Sequence, residues 1–282
     1  MDHEEKKNTN YINLNNQKVY FNIVGNGEPI VFLHGGPGSQ HQFFLPHVLP
    51  LSKNYKLIFY DQTGCGQSET EKSGQYSMSM EVEVLELLRK KLCLTKMNLF
   101  GESWGSMLAL LYATTYPERV NGLFLTAAIG VTAQGYKSFQ KELMKRLSLK
   151  DKIRLFIFSF KKVNKDSERV LEVLDPYYVF SKESLQKKKV FKMNKVVNKK
   201  IIDDIVKNYD LTDKLFKLDQ IPVMVAQGSH DILDPSKIKQ LLIDYIPHAT
   251  LVEINNAGHW TVVEKPQEII SIAKDFFSSS NC

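Results

Sequence analysis

The 282-residue chain has few cysteines and no long apolar run. Its three cysteines, Cys65, Cys93 and Cys282, are too few and too scattered for a disulfide framework or a zinc site. We interpret them as incidental thiols, which suit a reducing cytoplasm. Nowhere do eighteen apolar residues follow one another, and no apolar segment follows the polar first ten residues. These absences predict a cytoplasmic protein with no signal peptide and no membrane association.

Positive charge is concentrated in one stretch of the chain. The formal net charge is +6, but residues 136–200 hold 19 Lys and Arg against 7 Asp and Glu, so the remainder is acidic on balance. The lysines lie among apolar positions at helical spacing, and no recognised nucleic-acid-binding motif accompanies them. We therefore interpret the stretch as a solvated helical surface and predict no nucleic-acid partner.

Short apolar runs alternate with amphipathic stretches over most of the chain. The runs are rich in β-branched and aromatic residues, and most are apolar on both faces, as in a parallel sheet covered by helices. The predicted strands are 18–24, 30–34, 56–61, 97–101, 122–127, 221–228 and 250–255. The helical stripes between them include 78–92, 236–246 and 266–277. This alternation predicts a mostly parallel, doubly wound α/β sheet.

The alternation stops between residues 131 and 215, where only helical, lysine-rich patterns are found. A stretch of this length between two strands is too long for a linker, and we predict that it forms an all-helical cap. The predicted division is a core domain of residues 1–130 and 216–282 with a cap of residues 131–215.

Ser103 lies between two glycines at the junction of a predicted strand and a helix. The sequence Gly101-Glu102-Ser103-Trp104-Gly105 is a G-x-S-x-G motif in the strand–turn–helix context that the motif requires. The glycines let the strand and the helix approach each other, and the serine hydroxyl projects above the carboxyl edge of the sheet. The helix N-terminus points at the same place, where it favours negative charge. We therefore predict that Ser103 is a nucleophile.

A serine hydroxyl needs a base, and two later loops supply one together with its partner. Asp231 and Asp234 follow the sixth predicted strand, and His259 follows the seventh, in the order Ser, Asp, His expected on such a sheet. His259 would accept the Ser103 proton while Asp231 fixes the imidazole tautomer. Asp234 precedes a proline and could instead cap the next helix, so we favour Asp231.

The loop after the second predicted strand reads HGGPG, from His34 to Gly38. Its glycines let backbone amides turn toward a ligand, and we predict that the N–H groups of Gly36 and Trp104 form an oxyanion hole. We interpret His34 as a structural support for this loop. Three neighbouring residues are predicted to contact substrate, namely Gly35, Glu102 and Trp260.

Five motifs together resemble the proline iminopeptidase family of serine aminopeptidases, within the α/β-hydrolase superfamily. They are HGGPG, DQTGCGQS at 61–68, GESWGSMLALLYATTYPERV, GSHDILDP and AGHW. The resemblance covers residues 18–130 and 220–277. It implies the α/β-hydrolase fold, a mostly parallel doubly wound sheet with an inserted all-helical cap.

Site residues carry over from this family position by position. Ser103, Asp231 and His259 match its triad, and Gly36 and Trp104 match its oxyanion hole. The family's structural loop beside the site matches Asp61, Gly64, Gly66 and Ser68.

The chain departs from the family at several positions. Thr63 stands where the family normally has Arg, and Glu102 stands where it usually has Gly. The family recognises a substrate amine with cap carboxylates, commonly within a Trp-x-x-Trp-Glu-like segment, but no tryptophan occurs here between Trp104 and Trp260. Lysines outnumber the acidic residues of the cap, and each acid is expected to form a pair on a solvated helix face. These acids are Glu142, Glu168, Glu172, Glu183, Asp203 and Asp204.

Three functions remain open from the sequence. The first is an aminopeptidase that removes N-terminal residues from short peptides through an acyl-enzyme. The second is a carboxylesterase or lactonase using the same triad, favoured by a cap rich in aromatic and aliphatic residues. The third is a non-catalytic binding protein of the same fold, against which the complete Ser–Asp–His set argues. Each implies a small-molecule or short-peptide ligand without metal or organic cofactor, and none predicts an oligomeric state.

Overall fold

A computed structural model describes residues 10–14, 17–160, 166–187 and 193–279, without the side chains of residues 159, 160 and 166–168. Eight strands form one sheet in this part of the chain. The strands are β1 Tyr11–Leu14, β2 Gln17–Val24, β3 Glu28–Leu33, β4 Tyr55–Tyr60, β5 Met97–Glu102, β6 Val120–Thr126, β7 Val223–Gly228 and β8 Thr250–Ile254. Seven of them correspond to predicted strands, and β1 was not predicted.

The strand order is β1-β2-β4-β3-β5-β6-β7-β8. β1 and β2 are antiparallel to their neighbours, and every pair from β4 to β8 is parallel. The prediction of a mostly parallel, doubly wound sheet is therefore confirmed. All parallel strands end at one edge, so the loops after them converge there.

A row of phenylalanines crosses the centre of the sheet on one face. Phe59, Phe32, Phe100 and Phe124 come from four adjacent strands, with neighbouring ring centroids 4.6, 4.9 and 4.9 Å apart. Their neighbours in sequence, such as Leu99, pack into a second cluster on the opposite face. Because both faces are buried, the strands read as continuous apolar runs rather than as alternating ones. This rigid centre supports the loops at the carboxyl edge.

Helices cover both faces of the sheet. The helices outside the cap are α1 Met78–Lys91, α2 Trp104–Thr115, α7 Pro235–Leu241, α8 Thr261–Glu264 and α9 Pro266–Ser279. Helices α1, α2 and α7 pack with the cluster that contains Leu99, and helices α8 and α9 pack with the phenylalanine row. The helix predicted at 236–246 ends earlier, at Leu241, and a 3-10 turn follows at Ile243–Tyr245. The helix ends because Leu242, with a φ of −141°, leaves the helical conformation.

The segment between β6 and β7 forms helices in its described residues, as predicted. They are α3 Ala133–Arg146, α4 Leu149–Phe160, α5 Asp166–Leu174 and α6 Lys195–Asn208, with 3-10 turns between and after them. The two ends of this segment meet in an isolated antiparallel bridge between Thr132 and Asp210. The bridge lies close to both predicted ends of the cap, although the division into two domains stays a prediction.

Candidate active site

Ser103 occupies a strained turn between β5 and α2. Its backbone φ is +54°, a left-handed value that is uncommon for a residue with a side chain. Gly101 and Gly105 make the turn possible: a β-carbon on Gly101 would lie 2.5 Å from the Gly105 carbonyl oxygen, and one on Gly105 would overlap that of Leu33. The two glycines are therefore steric requirements of the close contacts among β3, β5 and α2.

The structure brings the three predicted triad side chains into one hydrogen-bonded chain. The distance from Ser103 Oγ to His259 Nε2 is 2.9 Å. His259 Nδ1 lies 2.9 Å from Asp231 Oδ1 and 3.1 Å from Oδ2. Residues 156 positions apart in the sequence meet because β5, β7 and β8 all end at the same edge of the sheet. The arrangement fits proton transfer from the hydroxyl to the imidazole.

Asp231 is fully buried and held from several sides. Gln227 Nε2 donates to its Oδ2 at 2.9 Å, and the Leu233 N–H donates to its Oδ1 at 3.2 Å. From the cap, Arg146 donates to the carbonyl oxygens of His230 and Asp231. These contacts fix the carboxylate in the orientation that the imidazole needs.

Asp234, the alternative acid, lies at the N-cap of α7. Its carboxylate accepts from the backbone N–H of Lys237 at 3.0 Å, the Lys237 ammonium at 2.7 Å and Ser236 Oγ at 2.6 Å. Burial raises the pKa of this carboxyl, but the hydrogen bonds and the Lys237 charge outweigh it and lower the pKa to about 2. Asp234 therefore acts as a helix cap in this structure.

The His259 ring is buried between aromatic cap residues and the Asp231 carboxylate. Its centroid lies 4.9 Å from that of Phe139 and 5.4 Å from that of Tyr178. Burial lowers the pKa of the imidazole, whereas the charge and hydrogen bond of Asp231 raise it, with a further increase from Glu102. The net result is a pKa above the ordinary 6.5. The site thus favours a positive imidazole more than water does, as a general base requires.

The HGGPG loop is joined to the turn that carries Ser103 by a polar network. His34 Nδ1 donates to the Gly35 carbonyl at 3.1 Å, and its Nε2 accepts from the Gln62 N–H at 3.1 Å. Gln62 Nε2 donates to the His34 carbonyl, and Trp104 Nε1 donates to Gln62 Oε1, both at 2.8 Å. Burial is the main cause that lowers the pKa of His34 to about 4. His34 is therefore neutral and holds the loop, in agreement with the structural role predicted for it.

The loop from Asp61 to Ser68 forms a tight turn beneath the site. Asp61 accepts from the backbone N–H and from Nδ1 of His41, both at 2.8 Å, and from the Gln67 N–H at 2.8 Å. Ser68 Oγ donates to the Asp61 carbonyl at 2.6 Å. Gly66 has a φ of +49°, and a β-carbon there would overlap the Asp61 carboxylate. The contacts agree with a structural role for this loop.

The cap contacts the site loops from two directions. On the HGGPG side, the Asn194 N–H donates to the Gly38 carbonyl at 2.9 Å and Asn198 Nδ2 donates to the Pro37 carbonyl at 2.8 Å. On the opposite side, the Tyr178 carbonyl accepts from the His259 N–H at 2.6 Å. The cap therefore helps to position both the HGGPG loop and the loop that carries His259.

A cavity of about 570 Å³ lies between the cap and the sheet edge. Its lining is mostly apolar and includes the predicted residues Gly36, Glu102, Ser103, Trp104, His259 and Trp260. Gly35 lies behind Glu102, since a β-carbon on this glycine would overlap the Glu102 carboxylate. A cavity of this size suits a small ligand.

Of the cap acids predicted to pair on solvated helix faces, two pair with lysines in the described residues, and Asp204 instead accepts from the Met78 N–H at 2.7 Å and from Asn208 Nδ2 at 2.6 Å. Glu142 pairs with Lys145 at 2.7 Å, and Asp203 pairs with Lys199 at 2.7 Å. Among the described lining residues, the cap contributes one carboxylate, that of Asp175. The side chain of Glu168 lies outside the described residues, as does Cys282. No pair of the predicted cap acids faces Ser103 in the part of the chain that the structure describes.

In the ranges that the structure describes, no group of three His, Cys, Asp or Glu residues is arranged to hold a metal ion. Within the same ranges, no helix combines the length and the apolarity needed to cross a bilayer. The cytoplasmic location stays a prediction.

Four residues around the site were not identified from the sequence. Gln62 lies within the D-Q-x-G-x-G-x-S motif, which offers a signal for it. Phe139, Arg146 and Tyr178 lie in the cap, where helical periodicity predicts a buried face but does not indicate which core loop it covers. Tyr178 acts partly through its backbone carbonyl, which any residue could supply.

Comparison with known protein families agrees with this architecture. Positions 28–266 match the family described as the alpha/beta hydrolase fold. The chain belongs to that family, and it is an enzyme of the serine hydrolase class.

Its relatives extend over nearly the whole chain. A proline iminopeptidase of Lactobacillus helveticus is 28% identical over 287 residues, covering 92% of this chain and 94% of the relative. A proline iminopeptidase of Clostridioides difficile is 28% identical over 286 residues, covering 94% and 96%. Among solved structures, a thermophilic esterase from Thermogutta terrifontis superposes with a TM-score of 0.76 at 20% identity, covering 94% of this chain and 95% of that one. The resemblance to proline iminopeptidases is confirmed, while the esterase likeness shows the fold alone.

Proposed function

We propose that Ser103, His259 and Asp231 form a catalytic triad that works through an acyl-enzyme. The supporting observation is the hydrogen-bonded chain with 2.9 Å between Ser103 Oγ and His259 Nε2. His259 removes the serine proton as Oγ attacks the substrate carbonyl, and it then returns that proton to the leaving group. A water molecule, deprotonated by the same imidazole, releases the acyl group and regenerates the serine.

In this proposal, the N–H groups of Gly36 and Trp104 stabilise the negative oxygen of the tetrahedral intermediate. Both residues line the cavity beside Ser103, and Trp104 begins α2, whose N-terminus favours negative charge. The link from Trp104 through Gln62 to His34 fixes the distance between the two donor loops. Preorganised donors of this kind lower the barrier because they need no reorientation during the reaction.

The proposed substrates are short peptides with a free N-terminus, from which the enzyme removes the first residue. Relatives named proline iminopeptidase align over more than nine-tenths of the chain, so the support comes from the cap as well as from the core. The cavity is covered by cap helices and has room for one or two residues of a peptide. A covered cavity favours the end of a chain over its middle.

A carboxylesterase or lactonase activity is the second candidate. Its support is the mostly apolar lining together with the single cap carboxylate, Asp175, among the described lining residues. Such a cavity accepts an uncharged acyl group without the cost of burying a charge.

Two experiments test the proposal. A fluorophosphonate probe is expected to label the wild-type chain and the control Ser236→Ala but not Ser103→Ala; labelling of Ser103→Ala would refute the nucleophile. If the wild type is not labelled, the non-catalytic binding protein would be favoured.

The second experiment compares kcat/KM for prolyl naphthylamide, p-nitrophenyl butyrate and an acyl-homoserine lactone. Turnover of the ester or lactone without any amide cleavage would refute the aminopeptidase and support the second candidate.

A further inference from the structure

A carboxylate lies on the wall of the cavity, next to the serine. Glu102 is the last residue of β5, and only 5% of its surface is exposed even though it lines the cavity. The absence of a side chain at Gly35 makes this position possible. A β-carbon at Gly35 would overlap the Glu102 carboxylate and lie 3.0 Å from Ser103 Cβ, so both side chains contact the same glycine. Glu102 and Ser103 therefore lie side by side in the cavity wall.

Charge is distributed unevenly along the cavity. Glu102 is buried, whereas the carboxylate residue Asp175 is half-buried and the lysines of α6 that line the cavity, Lys195 and Lys199, are exposed. A buried carboxylate in a mostly apolar cavity attracts a ligand cation, and pairing with it offsets the cost of removing that cation from water. Burial lowers the pKa of His259, and the charge of Glu102 adds to that of Asp231 in raising it above its ordinary value.

We propose that Glu102 binds a cationic amine on the acyl side of the substrate and so selects substrates with a free α-ammonium group. This inference rests on the proposed function, because the α-ammonium lies two bonds from the carbonyl carbon that Ser103 attacks. A group that recognises it must therefore lie within a few ångströms of the serine, as Glu102 does. The carboxylates of Glu142 and Asp203 pair with lysines and do not line the cavity.

The substitution Glu102→Gln tests this proposal with two esters of matched shape. Leucine p-nitrophenyl ester carries the ammonium, and 4-methylpentanoate p-nitrophenyl ester has the same carbon skeleton without it. The readout is the ratio of their kcat/KM values at pH 6.5, where an α-amine is mostly protonated. Any change in folding or in His259 protonation affects both esters alike and cancels in the ratio.

We expect the ratio to fall by roughly 10- to 150-fold in Glu102→Gln, the range for losing a charged hydrogen bond. Glu142→Gln, the matched control, is expected to leave the ratio unchanged. The proposal would be overturned by an unchanged ratio in Glu102→Gln. It would also be overturned if the ratio fell in Asp175→Asn but not in Glu102→Gln. Hydrolysis of the neutral ester would still support the hydrolase in those cases. Conversely, failure to cleave prolyl naphthylamide with the ammonium preference intact would count against the peptidase and leave the Glu102 assignment standing.

Discussion

The substitution Asp231→Asn separates the role of the proposed triad acid from that of its neighbour Asp234. With Asp231, the His259 Nδ1–H donates to the carboxylate, and the lone pair on Nε2 faces Ser103. An amide can present N–H to Nδ1 instead, which moves the ring proton to Nε2 and removes the base. The negative charge that stabilises the imidazolium is lost as well. We expect kcat to fall by about 10⁴-fold, equivalent to about 5 kcal/mol in the barrier.

The same substitution is expected to cost stability. Gln227 Nε2 donates to one carboxylate oxygen of Asp231, and the Leu233 N–H donates to the other. An asparagine has one oxygen, so in either orientation one of these buried donors faces its amide nitrogen. An unmatched buried donor costs about 1–3 kcal/mol, which chemical denaturation detects. Activity must therefore be measured on a folded fraction established by the same denaturation curve.

The matched control is Asp234→Asn, three residues away. Asparagine caps a helix about as well as aspartate, and the lost pairing with Lys237 is partly exposed, so stability should change by less than about 1 kcal/mol. Its kcat should stay within about twofold of the wild type for a p-nitrophenyl ester. If Asp231→Asn retains more than a tenth of wild-type kcat, or if Asp234→Asn loses as much, the assignment of the acid is wrong.

Three further predictions concern protonation and packing. Activity should fall as the pH drops through the pKa of His259, which lies above 6.5 because the nearby carboxylates outweigh burial. In a pH profile of kcat/KM, Glu102→Gln should move this acidic limb to lower pH. An unmoved limb would contradict the proposed effect of the Glu102 charge. Burial raises the pKa of Glu81 to about 7 from 4.5, so the folded chain keeps a proton that the unfolded chain releases. Its stability should therefore decline by roughly 3 kcal/mol as the pH rises from 4.5 to 7, and urea unfolding of Glu81→Gln should lack that decline. Gly105→Ala should destabilise by about 1–3 kcal/mol or more through backbone overlap, whereas Gly74→Ala, with open space around it, should show only the cost of its positive φ in thermal unfolding.

Residue types with a distinctive chemical or steric role could be placed from the sequence. Ser103, Asp231 and His259 each follow a strand that ends at the same edge, and the structure brings them within hydrogen-bond distance. The two glycines around Ser103 were predicted for their small size, and the overlaps that their β-carbons would make supply the physical reason. The strand β1 was missed because it is short and lies at the edge of the sheet, where one-sided burial weakens the apolar pattern.

The cap contacts could not be predicted in the same way. Helical periodicity identified its apolar faces, but the contacts that hold the site loops involve backbone groups of Gly38, Pro37 and Tyr178. A carbonyl or an N–H belongs to almost every residue, so its use leaves no mark on the residue type. Which loop a helix reaches depends on the packing of the whole cap.

This difference has a consequence for substrate selection. The proposed triad belongs to the sheet edge, whereas most of the cavity wall belongs to the cap. Glu102 is the exception, because it is a charged lining residue that belongs to a central strand. Its position relative to Ser103 is fixed by adjacent backbone units and by Gly35 rather than by cap packing. A preference for cationic substrates that arises from Glu102 should therefore persist when cap residues such as Leu171 are substituted, whereas a preference that arises from the cap should change with them.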